Sequence, residues 1–134
     1  MEDWKIYALA FFPELRTDLL EDYFSYYHVF FDLHRTLPDL YRSAEPYEAL
    51  RLRFAYARWC LFHEDADIRN AGMVAWYEHL FDRRENWDYA VRWVDEDEEV
   101  MRTCWPIWEY RAKPEDLQDL RELLEIDTRS WDTP

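Results

Sequence analysis

Apolar residues recur along most of this chain at spacings of three and four, the period of an α-helix. The pattern predicts a first helix over Asp3 to Phe12, stopped by Pro13, whose ring carries no N–H and suits the first turn of the next helix. From there Leu15, Leu19, Tyr23, Tyr26, Phe30, Leu33 and Leu37 form one apolar stripe, interrupted by Pro38. Whether this helix runs unbroken through Ser25 is left open, because Tyr26, Tyr27 and His28 are poor helix formers. Pro46 opens a helix to about His63. Tyr47, Leu50, Phe54, Ala57 and Leu61 line one of its faces, and Leu52, Tyr56 and Trp59 line another, so it is expected to be buried on two sides.

Glu64 to Asp67 reads as a junction in which either aspartate can cap the following helix. That helix is expected from about Asp67 to Asp82 and, apolar nearly all round, is read as central. Asn86 is the expected cap of a short helix turning Trp87, Ala90, Val91 and Val94 inward. The acidic run Asp95 to Glu99 suits the positive end of a helix that carries Val100, Met101, Cys104, Trp105 and Trp108, with a kink expected at Pro106. Pro114 starts a last helix with Leu117, Leu120 and Leu124 inward, and residues 127–134 are expected to fray. The expected fold is a single all-α domain over residues 1–134, a compact bundle or short solenoid of six to seven helices in antiparallel hairpins. One glycine, Gly72, in 134 residues agrees, since the tight turns of an all-β protein demand positive φ.

Charge changes the picture from fold to partners. Thirty Asp and Glu against 16 Lys and Arg leave a net charge of −14, yet hydrophobic residues make up 49 % and aromatics 19 %, enough for a real core. The acidity is uneven: −5 over residues 1–34, +2 over 35–63, −8 over 64–99 and −3 over 100–134. Such a chain is repelled by nucleic-acid phosphates within a Debye length of about 8 Å, so direct DNA or RNA binding is not expected. The acidic start Met1-Glu2-Asp3-Trp4 is unlike a signal peptide. No apolar run approaches the roughly 20 residues of a membrane span, so a cytoplasmic protein is expected. Cys60 and Cys104 lie among apolar neighbours and read as two buried thiols.

Candidate chemistry is sparse. Glu78, His79 and Asp82 lie within two helical turns, but His79 shares a face with Ile68, Gly72 and Trp76 and reads as a core histidine. Glu96 and Glu99 with Glu122 and Glu125 resemble the paired carboxylates of all-α magnesium-dependent nucleotide pyrophosphohydrolases, which hold the metal that bridges phosphates. The last position is Glu where that family has Asp, and no Lys/Arg cluster accompanies it. Ser25, Ser43 and Ser130 lack a glycine-rich elbow, neither cysteine has a histidine in helical register, and one glycine cannot build a phosphate loop. No catalytic residue, metal or cofactor is expected.

Surface character is more informative. On a continuous second helix, Glu14, Asp18, Glu21, Ser25, His28 and Asp32 would form an acidic ridge opposite the apolar stripe. Tyr89 and Trp93 lie four apart, off the inward face of their short helix and beside Asp95, Glu96, Asp97, Glu98 and Glu99. An aromatic pair rimmed by carboxylates has the composition of an interface anchor.

Three stretches, Phe12-Pro13-Glu14-Leu15, Ile68-Arg69-Asn70-Ala71 and Trp76-Tyr77-Glu78-His79-Leu80-Phe81, resemble short acidic helical bacterial proteins of unknown function, some of them similar to immunity proteins encoded beside polymorphic toxins. Gly72 stands where those proteins carry a larger aliphatic residue. The resemblance implies structural roles for Asn70 and Glu78, with Arg51 and Arg58 of the preceding helix as their expected partners. The expectation is a non-enzymatic binding protein, monomer or homodimer, that neutralises a basic effector such as a nuclease toxin. A phage-encoded inhibitor that mimics nucleic-acid charge and a magnesium-dependent nucleotide hydrolase are the alternatives.

Overall fold

The computed structural model describes residues 2–129 and 131, so Ser130 and residues 132–134 of the expected tail lie outside the described residues. Every regular element among them is helical: α1 (Asp3–Phe11), α2 (Arg16–Leu19), α3 (Tyr26–Arg35), α4 (Leu37–Tyr41), α5 (Tyr47–Leu61), α6 (Ala66–Ala75), α7 (Trp87–Ala90), α8 (Glu98–Arg111) and α9 (Leu117–Leu123), with short 3-10 turns between some of them. Among the described residues nine helices stand where six to seven were expected: the expected second helix is broken into α2 and α3, a further turn, α4, follows at Pro38, and α7 is the short helix expected after Asn86. No described helix is long and apolar enough to cross a membrane. The chain divides into two compact units, residues 1–79 and 80–134.

In the first unit α1 packs on α5, and α6 packs on both α5 and α3. Much of the aromatic surplus is its core. The Tyr56 ring is fully buried and meets Phe12 edge-on with centroids 5.6 Å apart and Phe30 at 5.5 Å. Phe30 in turn lies 6.3 Å from Trp76, whose ring also meets Phe54 at 5.2 Å and His34 at 5.5 Å. Each ring buried there contributes about 1.5–3 kcal/mol in transfer free energy. The Tyr56 hydroxyl donates to the Trp4 carbonyl at 3.0 Å, which satisfies the phenol and fixes α1 against α5.

Two expected helices are shorter than the pattern indicated. The second ends at Leu19, and residues 20–25 form a turn before α3. The helix expected to reach Asp82 stops at Ala75, where Trp76 leaves helical geometry at φ −126°, ψ −74°. Successive side chains on a helix diverge by about 100°. Leaving the helix lets the adjacent Trp76 and Tyr77 both be buried. Asp65, of the two aspartates left open, is the cap, accepting the Asp67 N–H at 2.8 Å.

Gly72 has an ordinary helical backbone, and its requirement is for space. A Cβ there would lie 3.1 Å from the Leu61 nitrogen and 3.4 Å from the Cys60 Cβ, so α6 crosses the end of α5 at a distance that only glycine allows without displacement. This explains why no larger aliphatic residue stands at that position.

The second unit is held by arginines clamped between a tryptophan face and carboxylates. Arg84 lies 4.9 Å over the Trp87 ring and pairs with Asp116 at 2.8 Å and with Asp119. Arg121 lies 5.6 Å over Trp105 and pairs with Glu109 at 2.9 Å and with Asp127. Arg129 lies 5.7 Å over Trp131, pairs with Glu98, and donates to the carbonyls of Leu124 at 2.8 Å and Asp95 at 2.9 Å. The described part of the segment expected to fray is therefore tied down. Arg111 grips Asp82 through two bonds of 2.8 and 3.2 Å. Asn86 is buried at the start of α7 and makes no side-chain cap there, and α8 runs through Pro106.

Two predictions follow from the packing. Gly72→Val is expected to cost about 1–3 kcal/mol, the range for overpacking a filled core, read as a lower urea midpoint at unchanged slope. Cys60 and Cys104 are both buried and free, and burial pushes the Cys60 thiol up to about 12 and raises that of Cys104 as well. Both are expected to resist a thiol-disulfide reagent in native buffer and to react in denaturant. Fast labelling of either native thiol would contradict that placement.

Candidate functional site

The turn between α2 and α3 builds a site in the first unit that the sequence pattern did not mark. Phe24 is buried and stacks on His28 with ring centroids 5.1 Å apart, pulling the turn inward. Ser25, in extended conformation, starts α3. The His28 Nδ1 accepts the Ser25 backbone N–H at 3.0 Å, taking the place that a Glu or Gln side chain holds in a capping box. With Phe24 turned in, Tyr23 is left 66 % exposed and Asp22 faces solvent beside it.

The start of α1 supplies the opposite wall. The Trp4 indole N–H donates to the Glu2 carboxylate, and its ring meets Tyr26 edge-on, with centroids 5.3 Å apart at 84°. Lys5 reaches back over the Trp4 ring, its Nζ 5.5 Å from the centroid. The His63 Nδ1 accepts the Asp65 N–H at 2.8 Å, so its proton is on Nε2, which donates to Asp3 at 2.8 Å. That bond ties the start of α1 to the α5–α6 turn. The Asn70 amide donates to the Tyr27 hydroxyl at 2.9 Å and fixes that ring between α3 and α6.

Together Glu2, Trp4, Lys5 and residues 22–27 line an open groove of about 450 Å³. Its walls are aromatic and two of its lining side chains are carboxylates, Glu2 and Asp22. The Tyr26 phenol has its pKa raised, first by burial and then by the charges of Asp67, Asp65 and Glu2, together with Tyr27. Burial disfavours any charge there, but the part of the shift that comes from Asp67, Asp65 and Glu2 is a negative potential, which favours a cation at the same place. Aromatic faces combined with carboxylates are the chemistry that receives an ammonium or guanidinium group.

The residues singled out from the sequence are placed differently from one another. Asp18 lies within α2, Glu21 lies in the turn, and Asp32 lies on α3 with Arg35 at 3.8 Å, so the continuous acidic ridge does not form. Tyr89 and Trp93 are half-buried, and neither side chain is free. Within Asp95 to Glu99, Glu96 is exposed, Glu99 is exposed but engaged, Asp97 caps α8 by accepting the Val100 N–H at 3.2 Å, and Glu98 holds Arg129 and the Trp131 indole. Asn70 is exposed, and the partner seen for it is Tyr27. Arg51 pairs with Glu48 on its own helix, and Arg58 lies 4.9 Å over Phe62. Glu78 is half-buried, 4.0 Å from the His79 ring, and the His79 side chain is 40 % exposed, not a core histidine. Among the described residues no group of three or more His, Cys, Asp or Glu side chains is placed to hold a metal ion.

Sequence reasoning missed the groove because Tyr23 and Tyr26 fall on the helical stripe of a helix that does not exist there. The available signal was local: the aromatic run 23–27 directly after Glu21-Asp22, at the proposed break.

The chain belongs to the family described as a domain of unknown function, DUF7674, which matches residues 6–97. The matched region includes the 22–27 wall of the groove, and the Glu2–Lys5 wall lies just before it. No curated protein and no solved structure matches the chain.

The cap that shapes the groove can be tested. His28→Ala is expected to lower stability by about 0.5–2 kcal/mol, the usual range for a helix cap, and to broaden the NMR signals of residues 22–27 before those of α5 and α6. An unchanged midpoint would show that the turn does not depend on this bond.

Proposed function

We propose, for this member of a family of unknown function, a non-enzymatic protein-binding module of the bacterial immunity or inhibitor type, which neutralises a basic effector, such as a nuclease toxin, in the cytoplasm. The observation that carries this reading is the groove of Trp4, Tyr23 and Tyr26 with Glu2 and Asp22, in a chain of net charge −14. Long-range attraction brings the basic surface in, and aromatic side chains then provide the desolvated contact that sets the lifetime of the complex. The acidic stretch from Asp95 to Glu99, with Tyr89 and Trp93, adds to the attraction. Arg129 already neutralises part of it.

The two stages have separate signatures. Rim charges act mainly on the association rate and its salt dependence, and buried aromatic contacts act on dissociation.

Affinity capture from the native host with wild-type protein and with the Glu2→Gln, Asp22→Asn double variant tests the reading. The expected result is a strongly basic protein recovered by the first bait and depleted on the second, whose association with purified wild-type protein slows steeply as salt is raised. A recovered partner that is acidic, or one whose association rate ignores ionic strength, would overturn it.

A further inference from the structure

Among the described residues, Arg84, Arg121 and Arg129 show how the chain holds a guanidinium over a tryptophan. Arg84 and Arg121 each lie over a tryptophan face, on Trp87 and Trp105, and each pairs with two carboxylates. Arg129 lies over Trp131 and uses one carboxylate and two backbone carbonyls. The arrangement suits arginine, whose flat, weakly hydrated cation packs on a ring while its N–H groups reach acceptors in the guanidinium's own plane. The same parts meet once more in the groove: the Trp4 ring, only 3 % exposed with Lys5 over it, and the carboxylates of Glu2 and Asp22, with Tyr23 and Tyr26 as added aromatic walls. Here the cation over the tryptophan is Lys5, a compact ammonium that lies 5.5 Å from the ring and presents no planar fork.

From this repetition we infer that the groove is an arginine receptor: a guanidinium from an extended segment of the partner seats over Trp4 between Glu2 and Asp22, and displaces Lys5 from the ring. The inference rests on the basic-partner reading and specifies its contact. The groove's volume of about 450 Å³ exceeds one guanidinium and leaves room for neighbouring backbone, which fits an arginine carried on a protein segment. Lys5 acts as a built-in competitor. It lowers the apparent affinity by the fraction of time it holds the ring, and its removal raises it.

The test uses the full chain and a blocked Gly-Arg-Gly-Arg-Gly peptide, followed by two-dimensional NMR of the Trp4 indole N–H and the 22–27 amides. The peptide is expected to shift these signals, and its counterpart with citrulline, which keeps the shape and loses the charge, is expected not to. Methylguanidinium alone is expected to bind at least tenfold more weakly than the peptide. Lys5→Met is expected to tighten the peptide by about two- to fivefold, the worth of one exposed cation–π contact. Asp22→Asn and Tyr23→Ala, both at exposed positions, are expected to weaken it at unchanged thermal midpoint. Equal shifts with citrulline, or weaker binding by Lys5→Met, would overturn the inference. So would methylguanidinium matching the peptide. Shifts confined to residues 95–99 would also overturn the arginine receptor and leave the basic-partner reading standing, whereas an acidic captured partner would remove that reading whatever the peptide does.

Discussion

The hydrogen bond from the Tyr56 hydroxyl to the Trp4 carbonyl is the constraint on which the first unit turns. Burial raises the pKa of the Tyr56 phenol, so the group stays a neutral donor, and an unpaired buried hydroxyl would cost about 1–3 kcal/mol. Its ring sits among Phe12, Phe30 and Trp59, so the same residue centres the core and holds α1 in place. Because α1 is fixed at Trp4, the indole is presented to the turn before α3, and Glu2 and Lys5 follow from its position in the chain. The groove thus inherits its geometry from the core, although most of its polar atoms face water.

The acidic character has two different structural meanings. Around Arg84, Arg121 and Arg129 carboxylates serve as one half of internal clamps, with tryptophan as the other face. The Arg129 side chain is only 9 % exposed, but exposed pairs such as those of Arg84 contribute little each, with a median of about 0–1 kcal/mol. Their collective effect is to fix where α9 and the following turn lie on the second unit. In the first unit, Asp65 caps α6 and Asp3 receives His63, while Glu2 and Asp22 line an open groove. Only the last of these places negative charge next to accessible aromatic surface.

Much of the fold was legible because helical period, prolines and the lack of glycine all point the same way. α1, α5, α8 and α9 fall close to their expected positions, and both cysteines are buried. What the pattern concealed were the places where tertiary burial overrides periodicity. Tyr23 keeps perfect helical register with Leu19 and Tyr26, yet Phe24 is the residue that goes inside, and the helix breaks to allow it. Trp76 and Tyr77 are adjacent and both buried, which no continuous helix delivers on a single face. The long-range partners were equally hidden: Asn70 meets Tyr27 across 43 positions and Arg129 meets Glu98 across 31, separations that carry no periodic signal. Trp87, expected to face inward, is buried together with Trp105 and Trp108, whereas Tyr89 and Trp93, read as surface for a partner, are half-buried.

Internal pairing does not reduce the net charge: whatever ion pairs form, −14 remains, and self-repulsion at that charge works against the folded state. A chain whose only need was solubility would satisfy it with a charge of about 2–8 in magnitude. The excess is compatible with stability because the aromatic cores bury large rings, and because arginine is used where carboxylates crowd against tryptophan. The groove breaks that rule, since aromatic faces and carboxylates meet there around a lysine drawn from the first turn of α1. The composition that makes the protein acidic overall and the local geometry that makes one site cation-seeking are therefore separate features, and it is their coincidence beside Trp4 that gives the charge a direction.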